Sequence, residues 1–320
     1  MSHTKCHGCS LCLLSCPMWR QERDVQYSPQ GIFKALQHNA ALSEITPALF
    51  SCLLCGACDL LCPEQIDITG TIKTLRRAAF SSGEHRALKK EIESQLKRPT
   101  TEAKAEANTI IIPGGALRSM PATLTKVQAL LSREARAVLA KDDGDDIALA
   151  LEAGVEISEH RRHSFLEPLQ GAKRLYVSNG LLLQALRKWL PATALCALGY
   201  SLSQLSELTT KLTSDDLYLI EARAFHLDHQ QTITHYDQLR HQQGCRTNLD
   251  LQRNAIPTAA GGLNTLHPTI DSHAQGRWIL NGHRVARIIV ECAEDGQAMA
   301  QLNEQPVLHI ADLMEHANDV

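Results

Sequence analysis

Residues 52–63, CLLCGACDLLCP, place four cysteines within eleven positions and set Pro63 directly after the last of them. Residues 6–17, CHGCSLCLLSCP, repeat the spacing, so eight of the eleven cysteines in the 320-residue chain fall in two copies of C-x2-C-x2-C-x3-C-P. In such a run a short loop wraps a cubane [4Fe–4S] cluster with three thiolates, and the fourth cysteine is carried off in another direction. In two-cluster ferredoxins that fourth cysteine ligates the other cluster. The expected ligand sets are therefore Cys6, Cys9, Cys12 and Cys62 for the first cluster, and Cys52, Cys55, Cys58 and Cys16 for the second.

The residues around the cysteines fit that reading. Pro17 and Pro63 fix φ and turn the chain out of each loop, while Gly8 and Gly56 let backbone N–H groups approach inorganic sulfide. Zinc sites usually space C-x2-C pairs by 12 to 20 residues, without a triplet or a following Cys-Pro. Disulfides belong to oxidising compartments.

The whole chain narrows the class further. A net charge of −3 and the lack of a basic arm argue against nucleic acid as a partner. With 44% hydrophobic residues there is material for a packed core, but no apolar run is long enough for a membrane span. The first motif begins almost at the N-terminus, which leaves no room for a signal peptide. The expected location is the cytoplasm, either free or peripheral on the inner face of the cytoplasmic membrane.

Between and after the two runs the sequence is helical. SPQGIFKALQHN (28–39) offers Ser28 as N-cap with Pro29 at the first helical position, and TPALFSCLLCG (46–56) offers Thr46 and Pro47 in the same roles. Residues 66–97, IDITGTIKTLRRAAFSSGEHRALKKEIESQLK, continue as helix with a polar, cationic face expected to meet solvent or a docking partner. From about residue 109 the texture changes. NTIIIPGG (108–115), RLYVSNG (174–180), DLYLIEA (216–222) and ARIIVECAEDG (286–296) look like short buried strands running into turns. Each is followed by a helical stretch, as in LLLQALRKWL (181–190) and ITHYDQLRHQQG (233–244). The pattern recurs after roughly 110 residues, which implies two related parallel α/β halves.

The fold expected is therefore α+β: a helical, ferredoxin-like two-cluster domain over residues 1–105, followed by α/β halves over 106–205 and 206–320. This combination resembles the cysteine-rich "CCG" iron–sulfur proteins. Among them are the iron–sulfur subunits of glycolate oxidase, of anaerobic glycerol-3-phosphate dehydrogenase and of lactate oxidation systems, and heterodisulfide reductase-like proteins. The resemblance is specific in the first hundred residues and only a trace beyond. Each half in that family carries Cys, then Cys-Cys-Gly, then Cys-x-x-Cys. Here Gly115, Asp142–Asp143–Gly144, Asn179 and Leu182 stand at those places in the first half. In the second half Arg223 sits near the first position, 254–268 lacks cysteine, and Cys292 survives with Asp295 replacing its partner. One thiol cannot hold a cluster, so both halves look like scaffolds stripped of metal chemistry.

Other candidates are weaker. The acidic run Asp142–Asp146 could take a hard cation or simply cap a helix. His226 with His229, and His160 with His163, have ligand-like spacing but no identifiable third ligand. Cys196 and Cys245 suggest inert thiols, and no glycine-rich nucleotide loop is present. The resemblance implies an iron–sulfur electron-transfer subunit of an oxidoreductase complex carrying two [4Fe–4S] clusters. It would relay electrons between a partner dehydrogenase, such as a flavoprotein, and a quinone or ferredoxin-type acceptor. The alternatives are a catalytic heterodisulfide-reductase-like or quinone-reducing subunit, and a scaffolding protein with structural clusters.

Overall fold

The computed structural model describes residues 2–96, 107–133, 136–302 and 305–314. Up to Leu96 the described chain is helical, and beyond it lie two parallel sheets. Strands β1 (Thr109–Ile112), β2 (Ala137–Leu139), β3 (Arg174–Val177) and β4 (Ala194–Ala197) form the first sheet, in the order β2-β1-β3-β4. Strands β5 (Asp216–Leu219), β6 (Arg246–Thr247), β7 (Arg287–Val290) and β8 (Val307–His309) form the second, in the order β6-β5-β7-β8. The two orders are the same permutation, and every pairing within the sheets is parallel. The class is α+β, and the duplication seen in the sequence is a duplication of topology.

Strands buried on both faces must be apolar throughout. Ile110, Ile111 and Ile112 of β1 and Ile288, Ile289 and Val290 of β7 meet that demand with essentially no exposure. One core spans both sheets, joining Ile111, Val127 and Tyr176 to Tyr218, Ile289 and Ile310. A second belongs mainly to the helices, with Phe33, Leu49, Ile72 and Ile92, yet it also takes in Leu149, Ala153, Leu181 and Leu263. The helical segment thus shares its core with the α/β segments.

Three local expectations change. The Ser28 cap stands: its hydroxyl accepts from the Gly31 amide, and Pro29 opens the helix Pro29–Gln37. The Thr46 cap does not. The helix begins earlier, at Leu42, with the Glu44 carboxylate accepting from the Ala41 amide, and Pro47 lies inside it. Pro47 is tolerated because it and Ser43, whose carbonyl loses its donor, both face solvent. The stretch after Pro63 is two helices, Ile68–Ser82 and Arg86–Leu96, separated at Gly83, which adopts φ +96°. Its cationic face is also not wholly solvated, because Arg76 is completely buried.

Candidate metal centre

Each cysteine run folds as a loop with a short helical turn. Gly8 and Gly56 occupy left-handed backbone, at φ +87° and +89°. A Cβ on Gly8 would stand 3.1 Å from Lys34 Cε, and one on Gly56 would stand 3.2 Å from His226 Cβ, so a side chain at either position would be tight as well as strained by the left-handed backbone. Cys16 and Pro17 then redirect the chain into the helix Pro17–Glu22, with Pro17 at its first position. The turn Leu11–Leu13 packs against the helix Ala57–Leu61, which brings the two loops together.

This packing sorts the eight thiols into two groups. Cys6, Cys9 and Cys12 line one cavity together with Cys62 from the other run. Cys16 lies with the other three: its thiol senses the charges of Cys52 and Cys55, and the Cys58 thiol senses Cys55, Cys52 and Cys16. The fourth cysteine of each run therefore reaches the opposite loop. Among the described residues no three His, Cys, Asp or Glu side chains converge closely enough to share a single metal ion. The four thiols lining the first cavity suit a polynuclear cluster, whose cysteines each bind a different iron. All eight are unpaired thiols, and soft thiolates are the donors such clusters require.

The two groups differ in environment. Cys9 is exposed and Cys6, Cys12 and Cys62 are half-buried, whereas Cys16, Cys55 and Cys58 are buried. Burial pushes the Cys12 thiol up to about 11 and the Cys55 thiol up to about 12. Burial raises Cys16, Cys52 and Cys58 as well. Thiols so placed stay protonated unless a cation replaces the proton. Backbone amides work in the opposite direction: the Leu54 N–H donates to Cys52 Sγ at 3.4 Å, and Ala57 serves Cys55 in the same way.

The carbonyls of the loops are gripped by side chains from elsewhere. Lys34 Nζ donates to Cys6 O at 2.8 Å, and Gln37 Nε2 donates to the same oxygen at 2.9 Å. The second loop is held more heavily. Arg76 donates to Leu49 O through Nε (2.9 Å) and Nη2 (2.7 Å), to Glu152 O through Nη1, and to Cys52 O through Nη2. Arg223 donates to Leu53 O at 2.9 Å and pairs with Glu152. His226 Nδ1 meets Cys55 O at 2.6 Å, while its Nε2 accepts from the Ala255 amide at 3.1 Å. Burial lowers the His226 imidazole to about 4, so it is a neutral strut between the second loop and the second sheet.

The remaining candidates resolve as structure. Arg161 spans Asp142 and Asp146, and Arg118 grips Asp143 through two nitrogens, so the acidic run is largely neutralised. Cys292 is buried and donates to Glu294 Oε2 at 2.8 Å, and burial holds its thiol far above the ordinary value. Cys245 is buried and Cys196 half-buried. Of the positions compared with family cysteines, some gather. Asn179, Arg223, Cys292 and Asp295 line one cavity of about 560 Å³, with Leu53 of the second loop in its wall. Asp145, Glu152, Glu221 and Glu294 line it too. Gly115, Asp142, Asp143, Gly144 and Leu182 are not among the lining residues. Burial and then Asp295 raise Glu221 to about 8, burial and then Asp143 raise Asp145 to about 6, and burial raises Asp295 to about 6.

Residues 2–66 match a family model described as 4Fe-4S dicluster domain. One subunit of the ferredoxin:CoB-CoM heterodisulfide reductase of Methanosarcina acetivorans is 30% identical over 79 residues, which cover 25% of this chain and 31% of that protein. The chain therefore spans less than a third of that curated relative's length. No solved structure matches. The N-terminal segment is similar to iron–sulfur subunits and carries the signature of 4Fe-4S binding, which supports an iron–sulfur redox role. No described helix is long and apolar enough to cross a membrane.

Proposed function

We propose that the chain is the electron-transfer subunit of an oxidoreductase complex, binding two [4Fe–4S] clusters with crossed ligation. Cys6, Cys9, Cys12 and Cys62 would hold the first cluster, and Cys52, Cys55, Cys58 and Cys16 the second. The observation that carries this reading is the exchange of fourth cysteines, which puts Cys62 in the cavity of the first run and Cys16 among the thiols of the second. Bound there, the clusters would supply one-electron carriers side by side. The chain's own residues would position the thiolates, through Lys34 on one loop and Arg76, Arg223 and His226 on the other, and would keep the second set dry.

Residues 1–105 would form the cluster module, and 106–205 and 206–320 a docking body. The partner is proposed to be a flavoprotein dehydrogenase or another redox subunit, with a quinone or ferredoxin-type acceptor. Its approach is favoured on the side of the first loop, where Leu11, Leu14 and Leu60 are 40%, 50% and 41% exposed on the two packed helical turns. A surface groove lined by Cys55 and Cys62 adjoins both thiol sets. The test is anaerobic reconstitution followed by iron and sulfide analysis, with eight of each expected per chain on the basis of the eight cysteines. Cys16→Ser should perturb the centre of the buried loop and leave the exposed one unchanged in EPR. Damage to the exposed centre instead would overturn crossed ligation.

A further inference from the structure

The helix Pro17–Glu22 leaves the second thiol set directly: Cys16 is its N-cap, and Cys16 O accepts from the Arg20 amide at 3.1 Å. Arg20 therefore stands about one helical turn from that cysteine. Trp19 packs on the small core that holds Cys16, Met18 and Leu53. Outside, the helix shares a surface groove with the helix Ser272–Leu280 of the second α/β half, and Arg20, Arg23, Arg277 and Trp278 line it. Gln21 clasps the two helices together, donating to the Asp271 carbonyl at 3.0 Å and accepting from the Asp271 amide at 2.9 Å.

The three arginines of this groove are exposed, and none of them is ion-paired among the described residues. Two are instead stacked on indole rings: the Arg20 guanidinium lies 4.4 Å from the centre of Trp278, and that of Arg23 lies 5.1 Å from the centre of Trp19. Stacking restrains the plane of a guanidinium and leaves its N–H edge free for a carboxylate. Burial first, and the charge of Arg23 second, lower Arg20, so the cations crowd one another. Two carboxylates share the groove with the three arginines. Asp271 caps the helix behind it through the amides of His273 (2.8 Å) and Ala274 (3.2 Å), and Glu22 is exposed. The balance of the groove is thus cationic on a chain whose net charge is −3.

We propose that this groove docks an acidic protein, a small electron carrier whose carboxylate-rich face meets the arginines, at the second thiol set's end of the relay. The inference rests on the electron-transfer reading above and adds a second docking surface to it. The exposed leucines of the first loop serve one end, and the arginines serve the other. Arginine and tryptophan are the side chains that most often dominate protein–protein contacts, and Arg–carboxylate pairs are among the strongest of them. A small anion is disfavoured because such ligands need most of their surface buried. The one buried polar side chain among the described lining residues, Gln275, is already paired with Pro257 O and Gln21. An anionic membrane is disfavoured because none of the exposed large hydrophobic side chains lines the groove to enter lipid.

The test is calorimetric titration of the intact, cluster-loaded chain with an acidic ferredoxin and an acidic flavodoxin. Basic cytochrome c, inorganic phosphate and phosphatidylserine vesicles are the controls. An acidic carrier should bind, and its affinity should fall roughly tenfold or more between about 0.02 M and about 0.3 M salt as exposed charges are screened. Arg20→Gln with Arg23→Gln and Arg277→Gln should weaken binding roughly tenfold or more at the lower salt and flatten the salt dependence. Iron content and melting temperature should stay unchanged, because all three arginines are exposed. Leu14→Ser with Leu60→Ser, on the other surface, should leave this titration unchanged. Absence of binding by both carriers, equal binding of cytochrome c, or indifference to the arginine triple would each overturn the proposal. So would arginine-dependent binding of phosphate or vesicles in place of the carriers, or loss of carrier binding through the leucine pair alone. Cluster content is read independently from iron and sulfide. A chain that lacks clusters but binds the carriers through its arginines defeats the electron-transfer reading and leaves this surface standing, whereas a loaded chain indifferent to the arginine triple defeats only the surface.

Discussion

Arg76 is the side chain on which the second cysteine loop most depends. Its guanidinium is fully buried and supplies Leu49 O, Cys52 O and Glu152 O, which tie the helix before the loop, the loop itself and the first α/β half to one cation. Arg76→Met keeps most of the volume and removes every donor. Three carbonyls are then left short of partners in a dry interior, at roughly 1–3 kcal/mol each before relaxation. Allowing for relaxation, the expected loss is about 3–5 kcal/mol, the range found on breaking buried charged networks. That is a large fraction of the stability of an ordinary domain and corresponds to a fall in melting temperature of roughly 10 °C. Arg76→Lys should fall between the two, because one ammonium cannot reach three separated carbonyls. The assay pairs calorimetry with EPR of reduced protein: the centre proposed at Cys52, Cys55, Cys58 and Cys16 should be lost first. A melting point within about 2 °C of wild type, or earlier loss of the centre at Cys6, Cys9, Cys12 and Cys62, would refute the reasoning.

Two other predictions rest on different parts of the fold. Burial, followed by Asp295, raises the folded-state pKa of Glu221 to about 8 from an ordinary 4.5. Its contribution to stability is therefore complete below pH 4.5 and is lost as pH rises to about 8. Denaturation midpoints should drop between pH 4.5 and about pH 8, and Glu221→Gln should flatten that drop; an unchanged slope would locate the titration elsewhere. Leu14→Ser with Leu60→Ser should leave iron content and melting temperature nearly unchanged, because both leucines are exposed. If the partner docks on this face, the pair should lower its affinity at least tenfold in a pull-down or titration, and full retention of binding would move the docking surface.

The sequence by itself determined the thiol chemistry and the repeated halves. Eight cysteines in two copies of one local spacing mark a 4Fe-4S signature that is readable from the sequence alone. The central strands were legible for a related reason, since β1, β3, β5 and β7 are buried and must be apolar. The flanking strands were not: β2, β4, β6 and β8 run two to four residues and are mostly half-buried, so their periodicity is too short to read. Pro47 misled because a Thr-Pro pair signals a helix start, whereas the apolar face of Ile45, Leu49 and Phe50 extends the helix back to Leu42.

Tertiary structure alone decided what surrounds the second thiol set. In sequence Arg76 falls on a polar, cationic helix face, Arg223 near a family cysteine position and His226 in a ligand-like pair, because their true partners are backbone carbonyls of Leu49, Cys52, Leu53 and Cys55, which no side-chain pattern marks. The same holds for the cavity lined by Asn179, Glu221, Arg223, Glu294 and Asp295, whose members come from both α/β segments and meet only in the folded chain.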